Sequence, residues 1–145
     1  MSAKQTDSYF ELAEDGLKTC EILFREDQFR DAVYNAQQVA ERVARALLTH
    51  ANKPFGTSHN LAQMAEALPA DHPLRPRIKE FDNLSPAATK YRYPTPSGRL
   101  VDPPQVSEIR KALDGLTTLL RDAKSYVYGP QPSTSVTPKP KGSGS

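Results

Sequence analysis

The sequence predicts an all-α fold, an up-and-down bundle of four to five helices. Apolar residues recur at steps of three and four along three long segments, which is the spacing of one face of an α-helix. No segment shows the alternation of polar and apolar residues that is typical of a half-buried strand. With 145 residues, 37% of them hydrophobic, the chain can build one core. We therefore expect a single helical domain over residues 6–129.

Two long helices are predicted first. One should run from residue 6 to about residue 27, capped by Asp7. Its apolar face consists of Phe10, Ala13, Leu17, Cys20 and Phe24. The next should run from about residue 29 to residue 51, and its core positions are Ala32, Ala36, Val39, Val43 and Leu47. The Pro-Phe-Gly sequence that follows should end it, because proline cannot continue a helix.

Shorter elements are predicted in the second half. Ser58 or His59 should cap a short helix, and another should span residues 74–84. Residues 85–104 contain too many prolines for a helix interior, so a long Pro-rich loop is expected there. The last helix should start near Gln105 and end around Gly129. Residues 130–145, mostly Pro, Ser, Thr, Lys and Gly, are predicted to form a disordered tail.

Charge and composition narrow the class of protein. The net charge of +2 comes from Lys139 and Lys141 in the tail, so global charge does not indicate nucleic acid. Residues 75–100, however, hold six basic side chains and only two acidic ones, which favours an anion-facing segment. The single Cys20 excludes an internal disulfide and a cysteine-based metal site. Without a long apolar run or a signal-like start, we expect a cytoplasmic protein with no membrane span.

Three local motifs occur in a characteristic order. Residues 36–48 read AQQVAERVARALL, residues 58–61 read SHNL and residues 90–94 read KYRYP. Together they resemble the HEPN (higher eukaryotes and prokaryotes nucleotide-binding) family, with its paired glutamines, glutamate and basic-Ala-Leu ending, its His-Asp/Asn-Leu helix start and its Arg-Tyr-Pro signature. The resemblance implies a four- or five-helix bundle, usually dimeric, that binds nucleotides or RNA. It also implies a nucleotidyltransferase as a frequent protein partner.

Candidate ligand-binding residues lie in all three motifs. Lys90, Tyr91, Arg92 and Tyr93, with Arg99 nearby, combine cations with stacking rings, which suits a nucleotide or single-stranded RNA. The alternative is that a tyrosine closes the bundle while the cations are solvated.

Two further candidates lie outside this loop. Glu41 shares one stripe of the second helix with Tyr34, Gln38 and Arg45, either as a solvated face with a Glu41–Arg45 pair or as part of a dimer cleft. His59 stands at a helix start, either as a phosphate contact or as a local cap and packing residue.

Catalytic candidates come only from the resemblance. RNA-cleaving members carry an arginine followed after four to six residues by a histidine, and here Arg121 is followed by Tyr126 instead. Tyrosine, with a usual pKa of about 10, is a poor general base at neutral pH, which puts cleavage in doubt. Arg45 and His50 have the same spacing in an earlier helix. Three scattered histidines favour no metal site, and no cofactor motif is present.

These features favour a HEPN-like module that binds a nucleotide, RNA or a nucleotidyltransferase-like partner. We expect a homodimer in a prokaryotic toxin–antitoxin or nucleotidyltransferase-linked system. One alternative is a metal-independent endoribonuclease. Another is a helical protein-interaction adaptor without a ligand.

Overall fold

A computed structural model describes residues 3–130 of the chain, and this part is all-α. Within it there is no strand, so the predicted all-α bundle is confirmed. The helices are α1 (Ala3–Arg25), α2 (Phe29–His50), α3 (Leu61–Ala67), α4 (Arg75–Lys79), a 3₁₀ helix (Asp82–Leu84), α5 (Ala87–Lys90) and α6 (Val106–Tyr128). Nearly all of the predicted tail, residues 131–145, lies outside the described residues.

Helices α1 and α2 form an antiparallel pair. Three residues connect them, and Asp27 makes the turn with φ of 60°, a left-handed conformation that Asp tolerates better than most residues. Because the helices run in opposite directions, the Sγ of Cys20 comes within 3.6 Å of the carbonyl oxygen of Ala32. The absence of a side chain at Gly16 allows the pair to approach closely, since a Cβ there would lie 2.9 Å from Cγ2 of Val39.

Helix α6 is antiparallel to α1 and therefore runs in the same direction as α2. Arg110, near its start, pairs with Glu21 near the end of α1, with a shortest N–O distance of 2.5 Å. Tyr128, at its end, donates a hydrogen bond to Asp7 near the start of α1. Residues 51–105, with the short helices, thus carry the chain back along the bundle, as an up-and-down order requires.

The core lies where the three long helices meet, and it agrees with the predicted faces. All five predicted core positions of α2 are at most 1% exposed, and α6 buries Ile109, Leu113, Leu116, Leu119, Leu120 and Ala123. On α1, Leu17 and Phe24 are only partly buried and pack at the rim of the core. Cys20 is fully buried, and burial raises the pKa of its thiol to about 12, so the residue packs as a small apolar side chain.

Helix starts differ from the prediction at two places. Helix α1 begins at Ala3, so Asp7 lies inside the helix and binds Tyr128 instead of capping. The N-cap of α3 is Asn60, whose Oδ1 accepts a hydrogen bond from the backbone N–H of Gln63 at 2.9 Å, and not Ser58 or His59.

The helix predicted over residues 74–84 is divided. Helix α4 ends at Lys79, and the chain then turns so that Asp82 and Ser85 reach the start of α3. There they accept hydrogen bonds from the N–H groups of Ala62 and Leu61, at 3.0 and 2.9 Å. These capping bonds favour the 3₁₀ turn over a continuous helix. The predicted loop of residues 85–104 also contains α5, which begins just after Pro86. Proline is tolerated at a helix start because the N–H group that it lacks would have no partner within the helix.

Candidate functional site

The polar stripe on α2, formed by Tyr34, Gln38, Glu41 and Arg45, is covered by two segments of the chain and is not a solvated face. Glu41 is only 4% exposed, because the ring of His59 lies against it. The Nδ1 of His59 hydrogen-bonds to Oε1 of Glu41, whereas the His59 side chain remains 56% exposed. A carboxylate accepts, so Nδ1 of His59 carries a proton, and Nε2 is the ring nitrogen that faces away from Glu41 and accepts a hydrogen bond in the neutral tautomer.

Arg45 fastens the segment before His59 onto α2. Its guanidinium lies 4.7 Å from the ring centroid of Phe55 and donates to the carbonyl oxygens of Gly56 and Ser58, each at 3.4 Å. It also forms the predicted ion pair with Glu41, at 3.8 Å. Most N–H groups of Arg45 thus already have partners within the chain. Arg45 therefore supports the structure of this site and is not a free group for a phosphate.

Gln37 is a part of the site whose role the sequence did not assign. It is fully buried, and its Nε2 donates to the backbone oxygen of His59 at 3.3 Å. Its Oε1 accepts a hydrogen bond from Gln38 at 2.7 Å. Gln37 therefore fixes the backbone of His59 while Glu41 fixes its ring. One indication of this role was present in the sequence, because Gln37 directly follows the predicted core residue Ala36 and a buried amide needs hydrogen-bond partners.

The Pro-rich loop places its cations beside aromatic rings. The guanidinium of Arg92 lies 4.9 Å from the ring centroid of Tyr34 on α2 and 5.5 Å from that of Tyr93. The ammonium of Lys90 lies 5.4 Å from the ring of Tyr91. Tyr93 is 59% exposed. Arg92 thus holds the loop on α2, whereas Tyr93 presents its ring to solvent.

None of the ion pairs formed among residues 3–130 involves Lys90, Arg92 or Arg99. Arg30, Arg77 and Lys79, by contrast, each lie within 4 Å of an acidic side chain. The loop therefore carries three positive charges that have no ion-pair partner in the part of the chain that the structure describes.

The His59 cluster and the basic loop adjoin each other. Tyr34 and Glu41 are seven positions apart on α2, which is about 10 Å along the helix axis. A cavity of about 450 Å³ is lined by His59 on one side and by Ala88 and Thr89, just before Lys90, on the other. We call this combined surface, consisting of the α2 stripe, residues 55–59 and residues 89–99, the α2 face.

The helix start beside His59 is not an open anion site. Its N–H groups already have acceptors inside the chain, namely Ser85 for Leu61, Asp82 for Ala62 and Asn60 for Gln63. The carboxylate of Asp82 would also repel an anion there. These N–H groups are therefore not free to bind a phosphate, and a phosphate contact at this position remains a prediction that concerns the ring of His59 alone.

No hydrogen bond, ion pair or ring contact among the described residues joins the catalytic candidates as the sequence paired them, Arg121 with Tyr126 or Arg45 with His50. Arg121 is exposed and contacts Asp122 at 3.5 Å, whereas Tyr126 packs at 6.2 Å from His50 and at 4.5 Å from His72, between ring centroids. Arg45 and His50 likewise have separate partners. In the described part of the chain, no group of three or more His, Cys, Asp or Glu side chains is placed to hold a metal ion.

A comparison with protein-family models identifies the family of this helical bundle. The HEPN domain matches residues 6–126, which is most of the chain. The chain belongs to the HEPN family. Neither the curated proteins nor the solved structures gave a match to this HEPN domain. None of its described helices is long and apolar enough to cross a membrane.

The three motifs that carried the resemblance converge in space. Residues 36–48 form part of α2, residues 58–61 are fastened to it through Glu41 and Arg45, and residues 90–94 are fastened to it through Tyr34. Segments far apart in sequence thus build one surface of this HEPN domain, the α2 face.

Proposed function

We propose that this HEPN domain binds single-stranded RNA, or a single nucleotide unit of it, on the α2 face. The observation that carries the proposal is a loop with three cations, Lys90, Arg92 and Arg99, that have no ion-pair partner among residues 3–130, together with the exposed ring of Tyr93, 5.5 Å from the guanidinium of Arg92. Phosphates are attracted by cations that lack a protein counter-ion, and a base can stack on an exposed tyrosine. The prolines of the loop reduce the entropy that such binding would cost.

Fluorescence anisotropy with a labelled single-stranded oligoribonucleotide tests this proposal. Arg99→Gln is the informative variant, because the Arg99 side chain has no bonding partner among residues 3–130 that the change would remove, and it should weaken binding about threefold to tenfold. Arg121→Gln removes an exposed arginine from α6 and serves as the control that should bind normally. With three phosphate contacts, the logarithm of affinity should fall with the logarithm of salt with a slope of about −2.

Arg92 needs a second measurement because it also stacks on Tyr34. Arg92→Ala should weaken RNA binding about tenfold or more. A thermal melt distinguishes the two roles, since loss of loop anchoring lowers the melting temperature whereas loss of a phosphate contact does not. Unchanged RNA affinity in both the Arg92→Ala and Arg99→Gln proteins would contradict the proposal.

The Glu41–His59 contact favours cleavage of RNA as a second candidate function. A ring that donates from Nδ1 to a buried carboxylate can take the proton of a ribose 2′-hydroxyl at Nε2. That oxygen would then attack phosphorus and break the bond to the 5′ oxygen, which takes a proton from water, so that a 2′,3′-cyclic phosphate and a 5′-hydroxyl remain and Nε2 releases its proton to solvent. In this candidate function the general base is His59, and not His50, Arg121 or Tyr126, which were considered from the sequence.

Incubation of RNA with the protein and a chelator tests this second function. Cleavage should disappear in His59→Ala while RNA binding stays within about threefold, because the ring is one contact among several. Glu41→Gln should reduce cleavage by misorienting His59. If the wild-type protein binds RNA without cutting it, the domain is a binding module only.

Association with other proteins is the remaining part of the proposal. HEPN domains often pair with nucleotidyltransferases, and we propose such a partner, in a toxin–antitoxin or related system, for this chain. Co-expression with the nucleotidyltransferase encoded nearest to it, followed by gel filtration, should give a joint peak. Separate elution of the two proteins would contradict this partnership.

A further inference from the structure

The cavity of about 450 Å³ beside His59 has both polar and apolar walls. Segments before α3, around the 3₁₀ helix and in α5 surround it. Pro86 and Ala88 supply apolar surface, and Thr89, which also lines the cavity, directly precedes Lys90 of the basic loop. The cavity therefore adjoins the loop cations, so a group that is attached to a phosphate held by those cations can enter it.

The two serine hydroxyls of this cavity already have partners within the chain. Oγ of Ser85 donates to Asp82 at 3.0 Å and accepts from the N–H of Leu61 at 2.9 Å. Oγ of Ser58 likewise donates one hydrogen bond at 2.9 Å and accepts another at 3.0 Å. A hydroxyl has one hydrogen to donate, so neither serine has a donor left for a ligand.

Asp82 and Asn60, in contrast, keep open hydrogen-bonding groups. Oδ1 of Asp82 accepts from the N–H of Ala62 and from Ser85, each at 3.0 Å, whereas Oδ2 has no partner among residues 3–130. Oδ1 of Asn60 accepts from the N–H of Gln63, whereas Nδ2 has no partner in the same part of the chain. A carboxylate has about four lone-pair positions. Oδ2 of Asp82 therefore offers two open acceptor positions, in a cavity that also holds an open amide donor.

A phosphate does not suit these open groups, because the carboxylate of Asp82 repels it. The first N–H groups of α3 take no part, since they already have acceptors within the chain. A carboxylate that a ligand covers needs donors at its open positions, because its burial otherwise costs free energy. The cavity therefore suits a neutral group with two adjacent N–H donors next to an acceptor.

Among the four RNA bases, guanine alone carries this pattern on its Watson–Crick edge, where N1–H and N2–H lie next to O6. Adenine, cytosine and uracil each have a single N–H donor on that edge. We propose that the cavity binds a guanine base of single-stranded RNA, an inference that rests on the RNA binding proposed above.

In this arrangement both N–H groups of guanine donate to Oδ2 of Asp82, and Nδ2 of Asn60 donates to O6. The face of the ring lies against Pro86 and Ala88. The cavity volume of about 450 Å³ is within the range of about 300 to 1,000 Å³ that is usual for ligand sites. The phosphate of the same nucleotide stays outside, with the loop cations that begin at Lys90.

Anisotropy titrations with three matched pentaribonucleotides test this specificity. Each has one central nucleoside, guanosine, adenosine or inosine, between uridines. The guanosine oligomer should bind about tenfold more tightly than the adenosine oligomer, because only guanine satisfies both positions of Oδ2. Inosine keeps N1–H and O6 but lacks the 2-amino group, so its oligomer should bind about threefold less tightly than the guanosine oligomer.

Asp82→Asn tests the role of the carboxylate. Its Oδ1 can still accept from Ala62 and Ser85, whereas an NH₂ group replaces Oδ2, so the protein should melt within a few degrees of the wild type. It should bind the guanosine and adenosine oligomers equally. The ratio of these two affinities is the measure, because loss of a negative charge alone raises both. Asp15→Asn, at an exposed position of α1, removes a carboxylate elsewhere and should keep the preference for guanosine.

Two results would overturn this assignment while RNA binding stands. The first is equal affinity of the wild-type protein for guanosine and adenosine, or for guanosine and inosine. The second is an unchanged preference in a folded Asp82→Asn protein. If that variant unfolds, the inosine comparison in the wild-type protein decides the question. Failure of all three oligomers to bind would instead contradict the RNA proposal itself, and this inference with it.

Discussion

The two ring nitrogens of His72 have very different surroundings. His72 is 5% exposed, and its Nδ1 accepts a hydrogen bond from the N–H of Leu74 at 3.1 Å, while Nε2 is buried without a hydrogen-bond partner. Burial, and next the nearby His50, lower the pKa of His72 below its usual 6.5, and Asp71 opposes this only in part. Protonation would place a charge in the core and turn Nδ1 into a donor facing another donor. The neutral ring is therefore part of the fold.

Stability should consequently fall on mild acidification. The unfolded chain takes up a proton at His72 near pH 6.5, whereas the folded chain resists until a lower pH. The stabilisation is thus fully present above about pH 6.5 and is lost as the pH decreases toward the lowered folded pKa. Urea unfolding at intervals between pH 7.5 and pH 5 should show this loss.

His72→Asn provides the matched comparison, because its side-chain oxygen can still accept from Leu74 and does not titrate. This variant should have a lower free energy of unfolding at pH 7.5, and that free energy should change less with pH than it does in the wild-type protein. His50→Gln, at an exposed position, is the control and should keep most of the wild-type slope. If the free energy of unfolding of the His72→Asn protein changed with pH as steeply as that of the wild-type protein, groups other than His72 would cause the pH dependence.

At the scale of elements, sequence periodicity predicts what is decided locally. The three long helices lie within about three residues of their expected ends, because each has a continuous apolar face and Gln105 and Glu108 form a capping box for α6. The short helices were predicted less well because long-range bonds determine them. Asp82 and Ser85 accept hydrogen bonds from N–H groups that lie 20 and 24 residues earlier in the chain, and no local pattern marks that pairing.

The segment of residues 55–59 gives a prediction at this scale. Arg45→Met removes two bonds to backbone carbonyls and the cation beside the buried Glu41. It should lower the free energy of unfolding by about 2–4 kcal/mol, because a buried carboxylate then keeps only His59 as a partner. Denaturant unfolding measures the loss, and exposed Arg121→Met should cost less than about 0.5 kcal/mol. Equal stability of the two variants would contradict the anchoring role.

At the scale of the whole molecule, only part of the candidate site could be predicted from the sequence. The motifs identified His59, Glu41 and the loop cations, but not that α2 joins them. That connection rests on pairs such as Tyr34 with Arg92, which lie far apart along the chain. Conversely, Arg45 was considered as a partner of Glu41 or as a catalytic candidate with His50, and in the structure it pairs with Glu41 and donates to the carbonyl oxygens of Gly56 and Ser58.

A homodimer remains a prediction. The stripe on α2, which was considered for a dimer cleft, is covered by the chain's own segments, so we expect the exposed face of α6 at the contact instead. Tyr126 and Tyr128 are almost half exposed there and offer apolar surface. Sedimentation at micromolar concentration should give twice the 16.0 kDa mass of the chain. A single 16.0 kDa species up to about millimolar concentration would contradict the dimer.

The most direct test of RNA binding by the α2 face is a ¹H–¹⁵N NMR titration of the full chain with a short single-stranded oligoribonucleotide. The largest shift changes should occur in residues 89–99 and at Ser58 and His59, and they should decrease as salt is added. Changes centred instead on the opposite groove, around Glu14 and Lys124, with residues 89–99 unaffected, would contradict the account.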